Sequence, residues 1–464
     1  MTDDLRLHSA QEPGPNPAGE LVLYWMQGVT LRATENPALN FAVEEANRRG
    51  LPVVVYQGLR DDYPWASARI HTFILESVAD LQREFGRRGI QYGFYLETAA
   101  ARADRGARSP LVALADRAAL VVTDFFPTFI QPRQLRALRR KTETPVIAID
   151  SATVVPLRRL ETEYKTARAI RPVLEGLLPH YLHPIPNPEP ESREPVELPF
   201  EPVGVPDHPD GIADLVRQCA VDQSVRPSPT IRGGTRQARA RLAWFVQHGL
   251  PGYAERRNDP NVDATSRLSP YLHFGNISIQ DVLLAAQAAG PAADWVKFRD
   301  EALVWRELAH NLCYWNPRHR TLDAIPDWAR RELDDHATDP RPALYDDLTL
   351  ERAETESELW NACQRSLRQD GELHNYLRML WGKSVLKWTP DAAEALRVLE
   401  HLNHKYALDG RDPNSYGGIL WCFGRFDRPF YRRPIFGTVR YMSLDTQRKK
   451  FDVDAYCRRY PPTA

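Results

Sequence analysis

The segment from Pro179 to Pro209 most constrains how this chain of 464 residues can fold, because it holds ten prolines. Proline lacks a backbone N–H and clashes with the preceding turn of a helix, so such a run excludes a long helix or a central strand. The chain is also too long for one ordinary hydrophobic core. We therefore predict two domains, residues 1–178 and 233–464, joined by an extended connector over 179–232.

Residues before the connector alternate between strand and helix patterns. Short apolar runs occupy 21–26, 51–57, 90–96, 119–125 and 144–150, and amphipathic helical patterns occupy 34–50, 68–89 and 109–118. This alternation is typical of a parallel sheet with helices on both faces. We predict a Rossmann-like parallel α/β domain, although no G-x-G-x-x-G fingerprint follows the first strand.

After residue 233 the apolar residues recur at the helical period, for example over 293–315 and 374–388. The second domain is therefore expected to be all-helical, which gives a fold class of α/β followed by all-α. Within it, the polar and glycine-containing stretch 402–429 is predicted to be a long functional loop.

Composition excludes several classes of protein. The five scattered cysteines show no C-x-x-C spacing, which argues against a disulfide framework or a zinc site and suits a reducing cytoplasm. No apolar stretch approaches membrane-spanning length, and the N-terminus lacks the apolar run of a signal peptide. We expect a cytoplasmic protein with no metal site and no membrane association.

The distribution of charge is more informative than its sum. The 60 Lys and Arg residues nearly cancel the 61 Asp and Glu residues, so net charge gives no hint of a nucleic-acid partner. Residues 419–464, however, hold ten Arg and Lys against four Asp, a local excess of six positive charges. Either a solvated C-terminal surface or a phosphate-facing surface would explain this excess.

Hydroxyl side chains cluster where a helix is predicted to begin. Thr265, Ser266 and Ser269 stand in "TSRLSPYLHFG", and a helix start also offers free backbone N–H groups. Such a segment binds a phosphate or pyrophosphate well. Simple N-capping accounts for the same residues equally well.

Two further groups of polar residues are candidates for a site. Glu301, Trp305 and Arg306 fall within about two turns of one predicted helix, where they line a pocket or belong to an exposed charge ladder. A buried Asp409 would need a cationic partner, for which Arg378 is the candidate.

Trp381 and Trp388 are seven residues apart in "LRMLWGKSVLKW", about two helical turns, so both indoles lie on one face. Core packing is the plain interpretation of two such large apolar side chains. The motifs around them suggest a second role.

An ordered series of motifs resembles the photolyase/cryptochrome flavoprotein family. The motifs are "TSRLSPYLHFG", "VWRELAHN", "PDWARRELDDHA", "LWNACQ", "LRMLWGKSVLKW", "LNHKYALDGRDPNSYGG" and "IFGTVRYM". The resemblance covers most of the chain and is strongest after residue 250. From Pro326 onward the pattern is most similar to class II cyclobutane pyrimidine dimer photolyases.

The resemblance implies an N-terminal antenna-type α/β domain and a C-terminal helical domain that binds FAD. By position in the motifs, the implied cofactor-binding residues are Tyr253, Thr265, Ser266, Leu268, Ser269, Arg306, Arg378, Asn403, Asp409 and Asp412. Asn403 would face the reactive flavin nitrogen, and Arg378 with Asp409 would form a salt bridge beside the isoalloxazine.

The implied activity is light-driven repair of UV-damaged DNA. A reduced, anionic FAD donates one electron to a flipped-out cyclobutane thymine dimer, whose ring then splits. The implied substrate and DNA contacts are Arg256, Glu301, Trp305, Met379, Trp421, Arg428, Phe430, Arg432 and Arg433. Arg425, Arg440 and residues 448–450 would extend a phosphate-facing surface.

The resemblance also gives the tryptophans a role. Trp381, Trp360 and Trp388 would form an electron relay in that order, with Trp388 nearest the surface, which photoreduces an oxidised flavin. With Asn403 and Glu301 they complete the implied catalytic residues.

The chain departs from the family in three places. "CFGRFDRPFYRR" after Trp421 lacks the expected Gly-x-His-Asp segment and tryptophan, so the filling of the gap left by the flipped dimer is open. "MQGVTLRATENPAL" replaces the expected pattern after the first strand, so the identity of any antenna chromophore, deazaflavin or folate, is open too. "TSRLS" is closer to other photolyase classes than to class II.

Three alternative functions are kept. One is a (6–4) photolyase, another a cryptochrome-like photoreceptor, and the third a light-independent nucleic-acid-binding protein without flavin. Glu301, Met379, Trp421 and the basic C-terminal residues favour repair. We expect a monomer.

Overall fold

The computed structural model describes residues 3–8, 16–104 and 108–462. A six-stranded sheet forms the centre of the N-terminal domain, in the order β1-β6-β5-β2-β3-β4. The strands are Leu7–His8 (β1), Leu21–Trp25 (β2), Val53–Arg60 (β3), Gln91–Glu97 (β4), Ala118–Asp124 (β5) and Val146–Ile149 (β6). Strands β2 to β6 pair in parallel, as predicted, and the short β1 adds an antiparallel edge.

Helices cover both faces of this sheet. They are Pro37–Arg49 (α1), Ala68–Arg88 (α2), Ala99–Asp104 (α3), Pro110–Arg117 (α4), Gln131–Arg139 (α5) and Ala167–Tyr181 (α6). Local chemistry sets their ends: Asn36 accepts hydrogen bonds from the first N–H groups of α1, and Gly50 ends α1 in the left-handed conformation. Because both faces are covered, every residue of β2 and β5 is buried.

The proline-rich connector contains no helix or strand between Leu182 and His208, as its composition predicts. It covers the edge strand β4, where Val203 N–H donates to Phe94 O at 2.9 Å. The connector is less uniform than predicted at its ends. Helix α6 continues through Pro179 to Tyr181, and Pro209–Arg217 (α7) begins at a proline, whose missing N–H is not needed there.

The C-terminal domain is helical, which confirms the predicted fold class. Its helices are Thr235–Trp244 (α8), Tyr253–Arg256 (α9), Ser269–His273 (α10), Ile279–Ala289 (α11), Ala292–Arg299 (α12), Arg306–Trp315 (α13), Asp327–Asp335 (α14), Asp347–Arg352 (α15), Glu358–Asp370 (α16), Asn375–Trp388 (α17), Ala392–Tyr406 (α18), Pro413–Cys422 (α19) and Val453–Arg459 (α20). Two π-helical turns occur at Phe245–Gly249 and Asp300–Trp305, and 3-10 turns occur at Asp4–Arg6, Leu157–Arg159, Leu322–Ala324 and Asp445–Lys449. No helix of the described residues is long and apolar enough to cross a membrane.

The predicted long loop over 402–429 is wrong. Helix α18 runs through Asn403 to Tyr406, residues 407–412 form a short loop, and α19 occupies Pro413–Cys422 before the chain becomes irregular again at Phe423. Pro413 in the first turn and the Asp412 side chain, which accepts from Asn414 N–H, start α19. Gly417 serves packing rather than a turn, because a Cβ there would lie 2.9 Å from the Cβ of Ala309 on α13.

A buried arginine of the N-terminal domain, Arg69, contacts the helical domain. Arg69, on α2, donates hydrogen bonds to five backbone carbonyl oxygens, those of Arg226, Leu367, Arg368, Gln369 and Tyr406. Four of these carbonyls are at the C-terminal ends of α16 and α18, where helices have unpaired acceptors. The N-terminal domain thus caps two helices of the other domain.

Candidate functional site

A polar cavity in the helical domain, called here the helical-domain cavity, collects most of the predicted cofactor residues. It lies between α10, the start of α13, α17 and the 407–412 loop. The predicted residues that line it are Tyr253, Thr265, Ser266, Leu268, Ser269, Glu301, Arg306, Arg378, Asp409 and Asp412. Asn403 is not among its lining residues; it is buried, with Nδ2 3.3 Å from Nδ1 of His404.

The hydroxyl-rich segment 265–269 is held by Arg241, which lies outside the cavity lining, and by an ion pair between Arg267 and Glu372, which both line the cavity. Arg241 donates to the carbonyl oxygens of Thr265 and Ser266 at 2.7 and 2.8 Å, and pairs with Asp263. Arg267 has a positive φ of 51° and pairs with Glu372 at 2.6 Å. These contacts fix the backbone that presents the Thr265, Ser266 and Ser269 side chains to the cavity. The roles of Arg241 and Glu372 could not be predicted from the sequence, because both residues act through tertiary contacts.

Arg378 and Asp409 form the predicted ion pair. The Arg378 Nη2 donates to both carboxylate oxygens of Asp409 at 2.8 and 2.9 Å, and Arg378 Nε donates to Leu373 O at 2.9 Å. The guanidinium is therefore held in place at the wall of the cavity. A fixed positive charge there favours a negatively charged ligand.

A second charged group faces the same cavity. Arg306 is buried, and its Nη1 has no hydrogen-bond partner within the described residues. Asp412 contacts His273 at 3.1 Å. Burial alone would raise the pKa of Asp412, but the hydrogen bond from His273 together with the charges of His273, His310 and Arg306 outweighs burial and lowers the pKa. An unpartnered buried guanidinium suits an anionic group such as a phosphate.

Glu307, next to Arg306, is a fully buried acid. Its carboxylate oxygen accepts from the Val154 and Val155 N–H groups of the N-terminal domain at 2.5 and 3.3 Å. Burial raises the pKa of Glu307 from 4.5 to about 8. The residue therefore joins the domains and does not line the cavity.

Glu301 and Trp305 lie on the π-helical turn Asp300–Trp305, between α12 and α13. Glu301 pairs with Arg257 and with Lys297, both at 2.8 Å. π-helical turns are rare in proteins overall, but those that occur are often found at functional sites. No local sequence pattern predicted this turn or the Arg257 contact.

The three residues predicted to form an apolar wall, Trp305, Met379 and Trp421, are not among the lining residues of the helical-domain cavity, but they lie on neighbouring elements. Trp305 and Trp421 stack with ring centroids 4.4 Å apart and an interplanar angle of 16°. Met379, one residue after Arg378, approaches the sulfur of Cys422 at 4.0 Å. The wall therefore joins the π-turn, α17 and α19.

The three relay tryptophans lie together. The ring centroids of Trp381 and Trp360 are 6.4 Å apart with planes at 6°, and those of Trp360 and Trp388 are 5.5 Å apart and nearly perpendicular. The expectation that Trp388 lies nearer the surface is wrong, since it is 0% exposed and Trp381 is 4% exposed. Tyr345 packs edge-on against Trp388 and the Lys387 ammonium lies over its ring, which explains the burial.

The predicted DNA-facing residues differ in their surroundings. Phe430 is exposed between the guanidinium groups of Arg428 and Arg440, and the Arg433 guanidinium lies over Tyr441. Arg432 pairs with Glu332 on α14. These aromatic and cationic side chains form an exposed segment at 428–433.

Two arginines of the predicted basic surface are engaged elsewhere. Arg256 donates to the carbonyl oxygens of His248 and Pro251. Arg425 was expected to face phosphate, which is wrong: it is 2% exposed and pairs with Glu163. Its charge therefore serves the interior contact between the domains.

A second cavity, called here the sheet cavity, lies at the carboxyl ends of the parallel strands. It is lined by residues from the ends of β2, β3 and β4, including Trp25, Tyr56 and Glu97. His273 lines both this cavity and the helical-domain cavity. One imidazole therefore contributes to the wall of each.

Comparison with known proteins points to one family. The sequence model of the DNA photolyase family matches residues 22–190. The deoxyribodipyrimidine photo-lyase of Methanothermobacter thermautotrophicus is 34% identical over 455 residues, covering 98% of this chain and 97% of that protein. The deoxyribodipyrimidine photo-lyase of Arabidopsis thaliana is also 34% identical, covering 94% of this chain and 88% of its own.

Two solved structures share the fold. A cryptochrome from Synechocystis superposes with a TM-score of 0.71 at 16% identity, covering 95% of this chain and 88% of that chain. An archaeal photolyase from Sulfolobus tokodaii, solved with two FAD molecules, superposes with a TM-score of 0.65 at 18% identity, covering 95% and 90%.

The fold and the site define a photolyase/cryptochrome-type protein, in which a parallel α/β domain is joined to a helical domain that encloses a polar cavity. Because a relative 34% identical matches it over nearly its whole length, the chain belongs to the DNA photolyase family.

Proposed function

We propose that this protein is a light-driven DNA repair enzyme, a class II photolyase that splits cyclobutane pyrimidine dimers with bound FAD. The observation that carries the proposal is the helical-domain cavity, which is lined by nine of the ten predicted cofactor residues. The names of the near full-length relatives support the same activity. The motifs from Pro326 onward support class II.

The residues of the helical-domain cavity fit FAD. The Thr265, Ser266 and Ser269 hydroxyls and the unpartnered Arg306 guanidinium suit its phosphates, and Arg378 suits a negatively charged flavin. Bound FAD, in its reduced anionic form, would supply one electron to the dimer on illumination and recover it after the ring opens.

The chain's own residues would position the substrate. The stacked Trp305 and Trp421 rings would provide an aromatic wall for the flipped dimer. The Glu301 carboxylate would accept a hydrogen bond from the N–H edge of a thymine and is oriented by Arg257 and Lys297. The exposed cations at 428–433 would bind DNA phosphates, together with Arg256 if its guanidinium turns outward.

The test is illumination of the reduced protein with DNA that contains cyclobutane thymine dimers, followed by an assay for restored thymines. We expect light-dependent loss of dimers and none in the dark. DNA with a (6–4) photoproduct is the parallel substrate. Repair of that lesion alone would contradict the lesion assignment, and no light-dependent repair of either would contradict the enzyme function.

A cryptochrome-like photoreceptor is the second candidate, favoured by the likeness to the Synechocystis cryptochrome fold. A photoreceptor predicts flavin photoreduction without dimer loss in the same assay. Flavin-free protein after purification would instead favour light-independent nucleic-acid binding.

The sheet cavity is the proposed antenna site, for a deazaflavin or a folate. Its position at the carboxyl ends of the parallel strands and its aromatic lining residues, Trp25, Tyr56 and Phe129, support a planar ligand. Chromatography of the small molecules released from the purified protein would identify the ligand, and release of FAD alone would contradict the proposal.

The protein is further proposed to act as a monomer in the cytoplasm. All five cysteines are free, as a reducing compartment requires. Light scattering of the purified protein would give the mass of one chain, and cell fractionation would test the location.

A further inference from the structure

The indole N–H groups of the three relay tryptophans have different surroundings. Trp381 Nε1 donates to Oε1 of Gln364 at 3.0 Å, and Trp360 Nε1 donates to the backbone carbonyl oxygen of Trp381 at 3.0 Å. Trp388 Nε1 is buried without a partner among the described residues. The acceptors at Trp381 and Trp360 are amide oxygens, which accept a hydrogen bond but do not take up a proton near neutral pH.

Gln364 is built to hold Trp381. It is fully buried on α16, four residues after Trp360, so one helix provides both the second indole and the acceptor for the first. Its amide orientation follows from chemistry, since an indole N–H only donates and requires the oxygen. The Gln364 Nε2 is then directed to the carbonyl oxygen of Glu351, at 3.4 Å.

We propose that Gln364 is a positioning residue of the electron relay, which aligns Trp381 with Trp360 and keeps Trp381 protonated while it is oxidised. The inference rests on the proposed function. Trp381 loses one electron to the photoexcited, oxidised cofactor and becomes an indolyl radical cation, whose proton stays on Nε1. Trp360 then gives one electron to Trp381 and is oxidised in turn.

The last electron comes from outside the protein. Trp388 passes an electron to Trp360. Because Trp388 is fully buried, a thiol in solution restores it by electron transfer across the Tyr345 and Lys387 side chains that cover its ring. Two thiols give one disulfide, two electrons and two protons over two turnovers. Because no proton leaves Trp381, the electron moves on without waiting for a proton to return. A hydrogen bond from a cationic donor is stronger than one from a neutral donor, so Gln364 also favours the oxidation of Trp381.

The test compares Gln364→Met with Gln369→Met, a matched change at an exposed position of the same helix. In Gln364→Met we expect photoreduction slower by on the order of fivefold, because the radical cation loses its hydrogen-bond acceptor. The indole N–H resonance of Trp381 in the apoprotein should shift, whereas Gln369→Met should match the unaltered protein in both measurements.

The variant Gln364→Glu tests whether Trp381 keeps its Nε1 proton while it is oxidised. At low pH the neutral carboxyl offers a carbonyl oxygen, and the variant should photoreduce at the rate of the unaltered protein. When the carboxyl ionises it becomes a base, so transient absorption should change from the radical cation to the neutral indolyl radical, with a solvent deuterium isotope effect. Burial raises the pKa of a carboxyl, so this change is expected at a pH above its ordinary range.

Trp381→Phe is measured in parallel to separate two failures. If Trp381→Phe loses photoreduction and Gln364→Met keeps its full rate and an unshifted indole resonance, the role of Gln364 is wrong and the relay stands. If Trp381→Phe photoreduces normally, the relay itself is wrong. Neutral indolyl radical at Trp381 in the unaltered protein would also overturn the inference.

Discussion

At the scale of single residues, the charge pair Arg378–Asp409 is the most direct test of the cavity. Replacing Arg378 by Met removes a fixed positive charge and leaves the Asp409 carboxylate without this partner. Loss of such charged hydrogen bonds costs about 1.5–3 kcal/mol, so FAD should bind at least about tenfold more weakly in a fluorescence titration.

The control is Arg397→Met, because Arg397 forms an ion pair with Glu394 on the exposed side of α18. Exposed pairs contribute about 0–1 kcal/mol, and FAD affinity should not change. The double variant Arg378→Met/Asp409→Asn should bind FAD better than Arg378→Met alone, since it removes the unpaired carboxylate. Equal affinity of Arg378→Met and the unaltered protein would contradict this role.

Glu307 gives a prediction about pH. The pKa of Glu307 is about 8 in the folded protein, compared with an ordinary value of 4.5. At a pH between these two values, the carboxyl group is protonated in the folded protein and ionised in the unfolded chain. The free energy of unfolding should therefore fall as pH rises from about 5 to 8. Glu307→Gln should reduce this fall by about 1–3 kcal/mol, measured by urea denaturation at each pH.

Glu161→Gln, at an exposed glutamate, is the control for Glu307. It should keep the pH dependence of the unaltered protein. If Glu307→Gln also keeps the pH dependence of the free energy of unfolding, the buried carboxyl group of Glu307 is not the source of that dependence.

Some side-chain contacts of the site could be predicted from the sequence and others could not. A buried aspartate requires a cation, which predicted Arg378–Asp409 correctly. The contacts of Gln364 and Arg257 could not be predicted, because each joins side chains from different elements and has no spacing signature.

At the scale of elements, helices α16 and α17 hold the relay. Trp381→Phe and Trp360→Phe should each abolish photoreduction of oxidised flavin while chemically reduced enzyme still repairs DNA. Phenylalanine is much harder to oxidise than tryptophan but fills most of the same core volume. Flavin absorbance under blue light measures the effect.

The matched control for the relay is Trp315→Phe, at a partly exposed indole that donates to Leu160 O. It should photoreduce at the normal rate. Normal photoreduction in both relay variants would leave core packing as the role of these indoles.

The ends of helices could be predicted from the sequence where the capping residues are adjacent to the helix in the chain. The predicted helices 34–50 and 68–89 became Pro37–Arg49 and Ala68–Arg88, each ended by a left-handed glycine. The prediction of a loop over 402–429 was wrong because polar and glycine-containing sequence suggested irregular structure, whereas Gly417 allows α19 to pack on α13. Close packing of this kind depends on a partner distant in sequence.

At the scale of the whole molecule, Arg69 should control how the domains dock. Arg69→Met removes hydrogen bonds to five carbonyl oxygens, four of which belong to the last turns of α16 and α18. We expect the free energy of unfolding to fall by about 3 kcal/mol or more in urea. Arg87→Met, at an exposed arginine of the same helix, is the control and should change it by less than about 0.5 kcal/mol. Equal free energies of unfolding for Arg69→Met and Arg87→Met would contradict a role of Arg69 in holding the two domains together.

The division into a parallel α/β domain and a helical domain could be predicted because periodicity changes across the prolines. How the two parts meet could not, since Arg69, Glu307 and Arg425 each cross the interface through single side chains.

The capping by Arg69 bears on how such genes can recombine. The connector looks like a natural place for two genes to recombine. A chimera joined there would take helices α16 and α18, which carry Trp360 and Asn403, from one parent. It would take Arg69, which caps both helices, from the other parent. Viable hybrids should therefore keep an arginine at position 69, so the two halves of the gene are expected to evolve as one unit.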